Sequence, residues 1–283
     1  MKKILILGAS SMIGHQLYNF LKKKNLKVFG TLRENKKKNS FLYNYDPLKN
    51  FIKINQLVKK IKPDFIINTI GIIKYRKQIK NFENTIFLNS FFTHKLAQVC
   101  SKNNIRLIHL STDCVFSGEK GNYSEKDIPD STDLYGVSKK LGEINYQKCL
   151  TLRTSFIGFE LENKTGLFEW ILTNKNKTLS GFNKAFYNGF TTLELSKIIL
   201  RLINLNLPIE GLYNLSSNKI SKFSLLNLII KNFKLDKKLI KNDTFYCDRT
   251  LNSKKFFKKI KYKVPNWNKM ISDMKKLKND IKK

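Results

Sequence analysis

At 283 residues the chain is long enough for one large domain or two interleaved ones, with an ample core. Its formal charge of +33 arises from 54 Lys and Arg against 21 Asp and Glu, but only six of the cations are Arg, and the Lys residues are spread along the chain beside Asn, Ile and Phe. That pattern reads as compositional bias rather than a nucleic-acid surface, which would concentrate Arg with exposed aromatics. No run approaches the roughly 18 apolar residues of a membrane span, and the four Cys and three His show no paired or ligand spacing.

The first element is the apolar run Ile4-Leu5-Ile6-Leu7, too short for a helix and suited to a buried parallel strand. It ends at Gly8. Gly14 sits where a helix begins, and Leu17, Phe20 and Leu21 follow at helical spacing. Strand, small-residue turn and helix make the layout that seats a dinucleotide pyrophosphate on a helix N-terminus. Lys2 and Lys3 ahead of an apolar stretch mimic a signal peptide, but Gly8, Ser10 and Ser11 break that stretch, and a cytoplasmic location is expected. Further strands are expected at 27–30, 41–45, 64–68, 106–110 and 150–153. A helix over 84–101 would bury Leu88, Phe91, Phe92, Leu96 and Val99. Strands alternating with helices predict an α/β fold, a doubly wound parallel sheet that binds ligands at the carboxyl ends of its strands.

Past residue 155 the alternation fades. Helices are expected over 166–172, 193–205 and 222–233, and a short strand over 211–215. Trp267, Met270, Ile271, Met274, Leu277 and Ile281 keep helical spacing, so the tail reads as an amphipathic helix with Lys on its solvated face. The expected division is residues 1–155 as a dinucleotide-binding unit and 156–283 as a smaller mixed substrate-binding region, partly interleaved with the first.

Between the fifth and sixth strands lies Leu134-Tyr135-Gly136-Val137-Ser138-Lys139, twenty residues beyond Ser111-Thr112-Asp113. Tyr135 and Lys139, four apart, project from one helix face about a turn apart. A Tyr–Lys pair alone is commonplace on helices. Beside a nucleotide turn and a hydroxyl-rich strand end, the trio suits proton transfer to or from a carbonyl oxygen.

Four signals in order, Gly8-x5-Gly14, Asn68-Thr69-Ile70-Gly71, Ser111-Thr112-Asp113 and Tyr135-x3-Lys139, resemble the extended short-chain dehydrogenase/reductase superfamily with its Rossmann-type sheet. The segments Ser111-Thr112-Asp113-Cys114-Val115-Phe116-Ser117-Gly118, Tyr123-x-Glu125-x-Asp127-x-Pro129 and Tyr135-Gly136-x-Ser138-Lys139-x-x-Gly142-Glu143 resemble the dTDP-4-dehydrorhamnose reductases and related nucleotide-sugar 4-ketoreductases. The resemblance implies reduction of a nucleotide-linked 4-keto-6-deoxyhexose in surface polysaccharide synthesis. Tyr135 would donate the proton, with Lys139 lowering its pKa and holding the nicotinamide ribose. Thr112 would orient the substrate oxygen, with Ser111 as competitor.

For the cofactor, the resemblance implies Gly8, Ser11, Met12, Ile13 and Gly14 around the pyrophosphate, Asp46 near the adenine, and Asn68, Ile70 and Gly71 under the nicotinamide. No acid ends the second strand, and Arg33 follows it, which favours NADPH with NADH as the alternative. Asp113 and Arg249 are substrate contacts on this view, Arg249 at the nucleotide diphosphate. No metal, nucleic-acid partner or membrane span is expected, and a homodimer is one state the sequence allows. Asp113 is followed by Cys114 where related dehydratases carry a second acid, so dehydration is not expected. An epimerase using bound NAD and a non-catalytic regulatory subunit of the same fold stay open as alternatives.

Overall fold

The computed structural model describes residues 1–34, 40–74, 77–146, 148–161, 164–205 and 209–281. In chain order, β1 (Lys3–Leu7) leads into α1 (Met12–Lys22), then β2 (Lys27–Leu32), β3 (Leu42–Asn44), α2 (Lys53–Ile61) and β4 (Phe65–Asn68). Next come α3 (Phe82–Ile86), a π-helical turn (Phe87–Phe91), α4 (Phe92–Lys102), β5 (Arg106–Ser111), α5 (Leu134–Leu141) and β6 (Cys149–Arg153). The remainder holds β7 (Phe156–Ile157), α6 (Leu167–Thr173), β8 (Thr178–Phe182), β9 (Ala185–Tyr187), β10 (Phe190–Thr191) and α7 (Thr192–Asn204). It closes with β11 (Gly211–Asn214), β12 (Ile220–Ser221), α8 (Lys222–Phe233), β13 (Lys238–Asn242), β14 (Cys247–Asp248), α9 (Lys254–Ile260) and α10 (Trp267–Ile281).

Seven strands form one parallel sheet in the order β11-β6-β5-β4-β1-β2-β3. The run at residues 4–7 shows why both faces are covered. Ile4 and Ile6 enter one core with Leu17 of α1 and Ile198 of α7, while Leu5 and Leu7 enter the other with Leu57 of α2 and Leu96 of α4. A strand with a side-chain period of two and no polar residue must be buried on both sides. Because β2 and β4 flank β1, the chain leaves the sheet centre in opposite directions, and a crevice opens at the carboxyl ends of β1 and β4.

The expected strands and helices of the first 155 residues are present, with one correction inside the helix expected over 84–101. The π-helical turn inserts an extra residue and rotates the face, so Phe91 is exposed (50%) while Leu88, Phe92, Leu96 and Val99 stay buried. In its place Asn89 and Ser90 turn inward. In the second half, β11 pairs in parallel with β6. The small pairings β7–β10, β8–β13 and β12–β9–β14 form three separate sheets, and β7, β9 and β14 contribute residues to the crevice. Trp267, Met270, Ile271 and Met274 of α10 are buried against α7 and α8; the side chain of Ile281 lies outside the described residues.

Candidate active site

The turn from β1 into α1 is tight. Gly8 has φ +83°, and a Cβ on Gly14 would lie 2.1 Å from the Gly8 carbonyl oxygen. Ser11 stands where a dinucleotide turn usually has glycine. It caps α1, its Oγ accepting from Gly14 N at 3.0 Å and lying 3.0 Å from Thr69 Oγ1. The helix starts at Met12, two residues before the start expected at Gly14. Met12 and Ile13 occupy its first two positions, whose N–H groups have no acceptor within a helix. Across the crevice, Asn68 Oδ1 accepts from Ile70 N at 3.1 Å, and Asn68 Nδ2 lies 3.3 Å from His109 Nδ1. Asn68 therefore turns the chain toward Ile70 and Gly71 from a buried position rather than facing the crevice.

Helix α5 is set against the loop after β5. Asp133 caps it by accepting from Gly136 N at 3.0 Å, and its other oxygen holds Lys74 Nζ at 2.9 Å. A Cβ on Gly136 would sit 2.2 Å from Ser131 Oγ and 2.3 Å from the Cys114 carbonyl oxygen, so only glycine permits this approach. Asn89 knits the same region together. Its Nδ2 donates to Ile72 O and to Ser138 Oγ, each at 3.0 Å, and its Oδ1 accepts from Ile72 N at 2.8 Å.

These elements enclose a cleft of about 450 Å³. It brings together Met12, Ile13, Ile70, Gly71, Ser111, Thr112, Asp113, Tyr135, Lys139 and Arg249. Gly8, Ser11 and Gly14 shape the turn beneath it. Arg33 and Asp46 lie elsewhere, 4.0 Å apart at the ends of β2 and β3; Asp46 also accepts from Leu48 N, and Arg33 is mostly exposed.

Ser111 and Thr112 are separated by their partners. Ser111 Oγ donates to Glu143 Oε1 at 2.8 Å, and Glu143 holds Arg153 through two bonds of 2.8 and 2.7 Å. Thr112 Oγ1 accepts from Cys114 N and donates to Asp113 Oδ1, both at 3.1 Å, beside Tyr135. Burial lifts the Asp113 carboxyl above its ordinary range, opposed by the nearby Arg249 guanidinium. Arg249 is anchored through Nε to Phe116 O at 2.8 Å and Ser117 O at 3.2 Å.

The expected depression of the Tyr135 pKa by Lys139 does not occur. Burial raises the phenol's pKa, the nearby Cys114 and Asp113 add to this, and Thr112 opposes it. The Lys139 ammonium is drawn the other way, donating to Leu110 O at 2.7 Å. Its own pKa is pushed down to about 8 by burial, with Glu143 opposing. A phenol that keeps its proton beside an ammonium, next to a helix N-terminus and a strand-end hydroxyl, can deliver a proton to a carbonyl oxygen. The cleft's donor set also fits a dinucleotide: free helix N–H groups at Met12 and Ile13, a Gly8–Gly14 turn without room for side chains, and Gly71 for close backbone approach.

Several cleft residues were not anticipated from the sequence: Lys74, Thr154, Glu160, Trp170, Tyr187 and Lys222. Most come from the second half, where no local pattern marks them. Asn89, which braces Ile72 and Ser138 without lining the cleft, did leave a signal: an amide on an otherwise apolar helix face.

The family model described as RmlD substrate binding domain matches residues 1–276. The dTDP-4-keto-6-deoxy-D-glucose reductase of Streptomyces niveus is 27% identical over 140 residues, 49% of this chain and 45% of that protein. Methionine adenosyltransferase 2 subunit beta of Xenopus tropicalis is 24% identical over 231 residues, 77% of this chain and 68% of that protein. The chain spans about half the length of the first curated relatives it matches. In fold, the chain is similar to the crystal structure of dTDP-4-dehydrorhamnose reductase from Bacillus anthracis in complex with NADP. The TM-score is 0.79 at 19% identity, covering 97% of this chain and 98% of the other.

Proposed function

The chain belongs to the RmlD substrate binding domain family, and from that membership we propose that it reduces the C4 keto group of a nucleotide-linked 4-keto-6-deoxyhexose, serving surface polysaccharide synthesis. The observation that supports this most is the convergence of Thr112, Tyr135 and Lys139 with the Met12–Ile13 helix start and Arg249 in one cleft. Tyr135 donates its proton to the sugar oxygen. The phenol carries its proton at neutral pH, as a donor must, although burial makes it a weaker acid. Thr112, rather than Ser111, orients that oxygen, since Ser111 is engaged by Glu143. Lys139 lines the same cleft with its ammonium on Leu110 O, and its role is to hold the ribose of the cofactor. NADPH, when bound, supplies the hydride. Met12 and Ile13 N–H groups hold its pyrophosphate over the turn formed by Gly8, Ser11 and Gly14. Ile70 and Gly71, with Asn68 beneath them, line the nicotinamide half. Arg33 meets a 2′-phosphate and Asp46 the adenine side, and NADH is the alternative donor. Asp113 and Arg249 contact the substrate.

The test is oxidation of NADPH and NADH, followed by loss of reduced-nicotinamide absorbance, with dTDP- and UDP-linked 4-keto-6-deoxy sugars generated in situ. Consumption is expected with one nucleotide series. Replacing Tyr135 by Phe should abolish it with cofactor affinity intact; normal turnover by that variant would sink the mechanism. The match to a methionine adenosyltransferase subunit over 77% of the chain favours a second reading, a non-catalytic regulatory subunit. A stoichiometric enzyme partner in a pull-down, with no turnover, would select it. Sugar interconversion without net oxidation would select an epimerase.

A further inference from the structure

The two-stranded sheet of β8 and β13 carries an exposed apolar patch outside the cleft. Leu179 and Gly181 of β8 face inward, and a Cβ on Gly181 would lie 3.2 Å from Phe223 Cα of α8. Strand alternation then turns Thr178, Ser180 and Phe182 outward. On β13, Ile240 stands opposite Ser180 and is 52% exposed. Beyond β13, Phe245 and Tyr246 are 46% and 54% exposed. The Phe245 ring meets that of Phe182 with 5.1 Å between centroids.

The same stretches are rich in lysine. Residues 175–184 and 237–246 hold Lys175, Lys177, Lys184, Lys237, Lys238 and Lys241 against one acid, Asp243. Asp243 accepts from Asn183 Nδ2 at 2.9 Å, and Lys237 is tied to the carbonyls of Asn174 and Asn176. Lys184, Lys238 and Lys241 are exposed. Lysine at the edge of a small sheet keeps other strands from pairing with it. Clustered exposed rings work the other way and mark a surface that is covered in use.

Charge decides what covers it. A second copy docked face to face would set these lysines against their own equivalents, on a chain of formal charge +33. An anionic lipid surface is complementary, because rings settle among headgroups while lysines meet phosphates. An outward sheet face also suits a fluid surface that closes around the rings.

We propose that the β8–β13 face docks the protein on membranes rich in anionic phospholipid. Phe182, Phe245 and Tyr246 enter the headgroup layer, and Lys184, Lys238 and Lys241 meet lipid phosphates. The chain runs from β8 into β9 and from Tyr246 into β14, and both of these strands contribute to the cleft. Docking therefore holds the cleft near the bilayer, whatever reaction it performs.

Sedimentation of the full chain with vesicles of phosphatidylcholine, with or without about a third phosphatidylglycerol, tests the proposal. Binding is expected to the anionic vesicles and should weaken with salt. Any protein of this charge meets an anionic surface, so the deciding comparisons hold charge constant. Phe182→Ser, Phe245→Ser and Tyr246→Ser together keep every lysine and should weaken binding about tenfold or more. Lys184→Gln, Lys238→Gln and Lys241→Gln together should also cost about tenfold or more. The same loss of charge at Lys59, Lys60 and Lys102, on α2 and α4 across the main sheet, should cost about twofold at most. Circular dichroism reports whether each variant is folded. Phe245→Trp leaves the patch in place, and its added emission should shift to the blue and be quenched by brominated lipid. Undiminished binding in the ring variant, equal losses from the two lysine sets, or no added quenching in Phe245→Trp overturns the proposal. Dimerisation that the ring substitutions abolish would also overturn it and give the face to a second copy.

Discussion

Tyr135 and Lys139 lie four residues apart on α5, and the same loss of water moves their protons in opposite directions. Burial disfavours the charged form of each, so the phenol holds its proton more tightly and the ammonium less so. Turnover is expected to hold steady through neutral pH and to fall as Lys139 is titrated near pH 8. A kcat profile that stays flat well above that value would remove Lys139 from the proton step. Stability should follow the same group with a definite sign. The folded pKa of about 8 lies below the ordinary 10.5, so between these values the unfolded chain binds more protons and stability rises with pH. Below about 8 the full cost of the buried charge is present. Lys139→Met should therefore raise the melting temperature by roughly 2–4 °C at neutral pH while eliminating reduction, and its unfolding free energy should lose that rise.

Helix α5 is short, and its placement depends on contacts at its start and along its inner face. The Asp133 cap, the Gly136 contact with Cys114 O and the Asn89 bridge to Ser138 each fix it against a different neighbour. Asp133→Ala should cost about 1 kcal/mol of stability and free Lys74. Because the helix start bears Tyr135, kcat should drop several-fold more than KM rises. Gly136→Ala forces α5 away from the Thr112–Cys114 loop, and a loss of kcat with normal NADPH affinity is expected. Equal losses in kcat and cofactor affinity would mean that the helix shift reaches the α1 turn. The π-helical turn belongs to this scale as well. It turns Asn89 inward to reach Ile72 and Ser138, which a regular helix over 84–101 would not do.

The molecule closes its sheet with a strand from its second half. Because β11 pairs with β6, and α7 packs on α1, the β1–α1 turn and the second half of the chain share one core. Unfolding by denaturant should then be a single transition, coincident by near- and far-ultraviolet circular dichroism, and a fragment ending at residue 155 should not fold alone. Two separated transitions would show that the units are independent. Among the described residues no helix is long and apolar enough to cross a membrane. The cations that line the cleft should make KM for the proposed nucleotide sugar rise with ionic strength, as screening weakens their pull on an anionic substrate.

What the sequence determined by itself were the features written in short-range order. The apolar run at residues 4–7 pointed to a buried strand, the Gly8–Gly14 spacing to a strand-to-helix turn, and the four-residue step from Tyr135 to Lys139 to one helix face. Tertiary structure alone decided the rest. Strands as short as β7, β10, β12 and β14 have two residues each and exist only because a partner strand lies beside them. Ser111 and Thr112 are neighbours with equal chemistry, and Glu143 separates their roles from 32 positions away. The direction of the Tyr135 pKa depended on burial, which spacing does not encode.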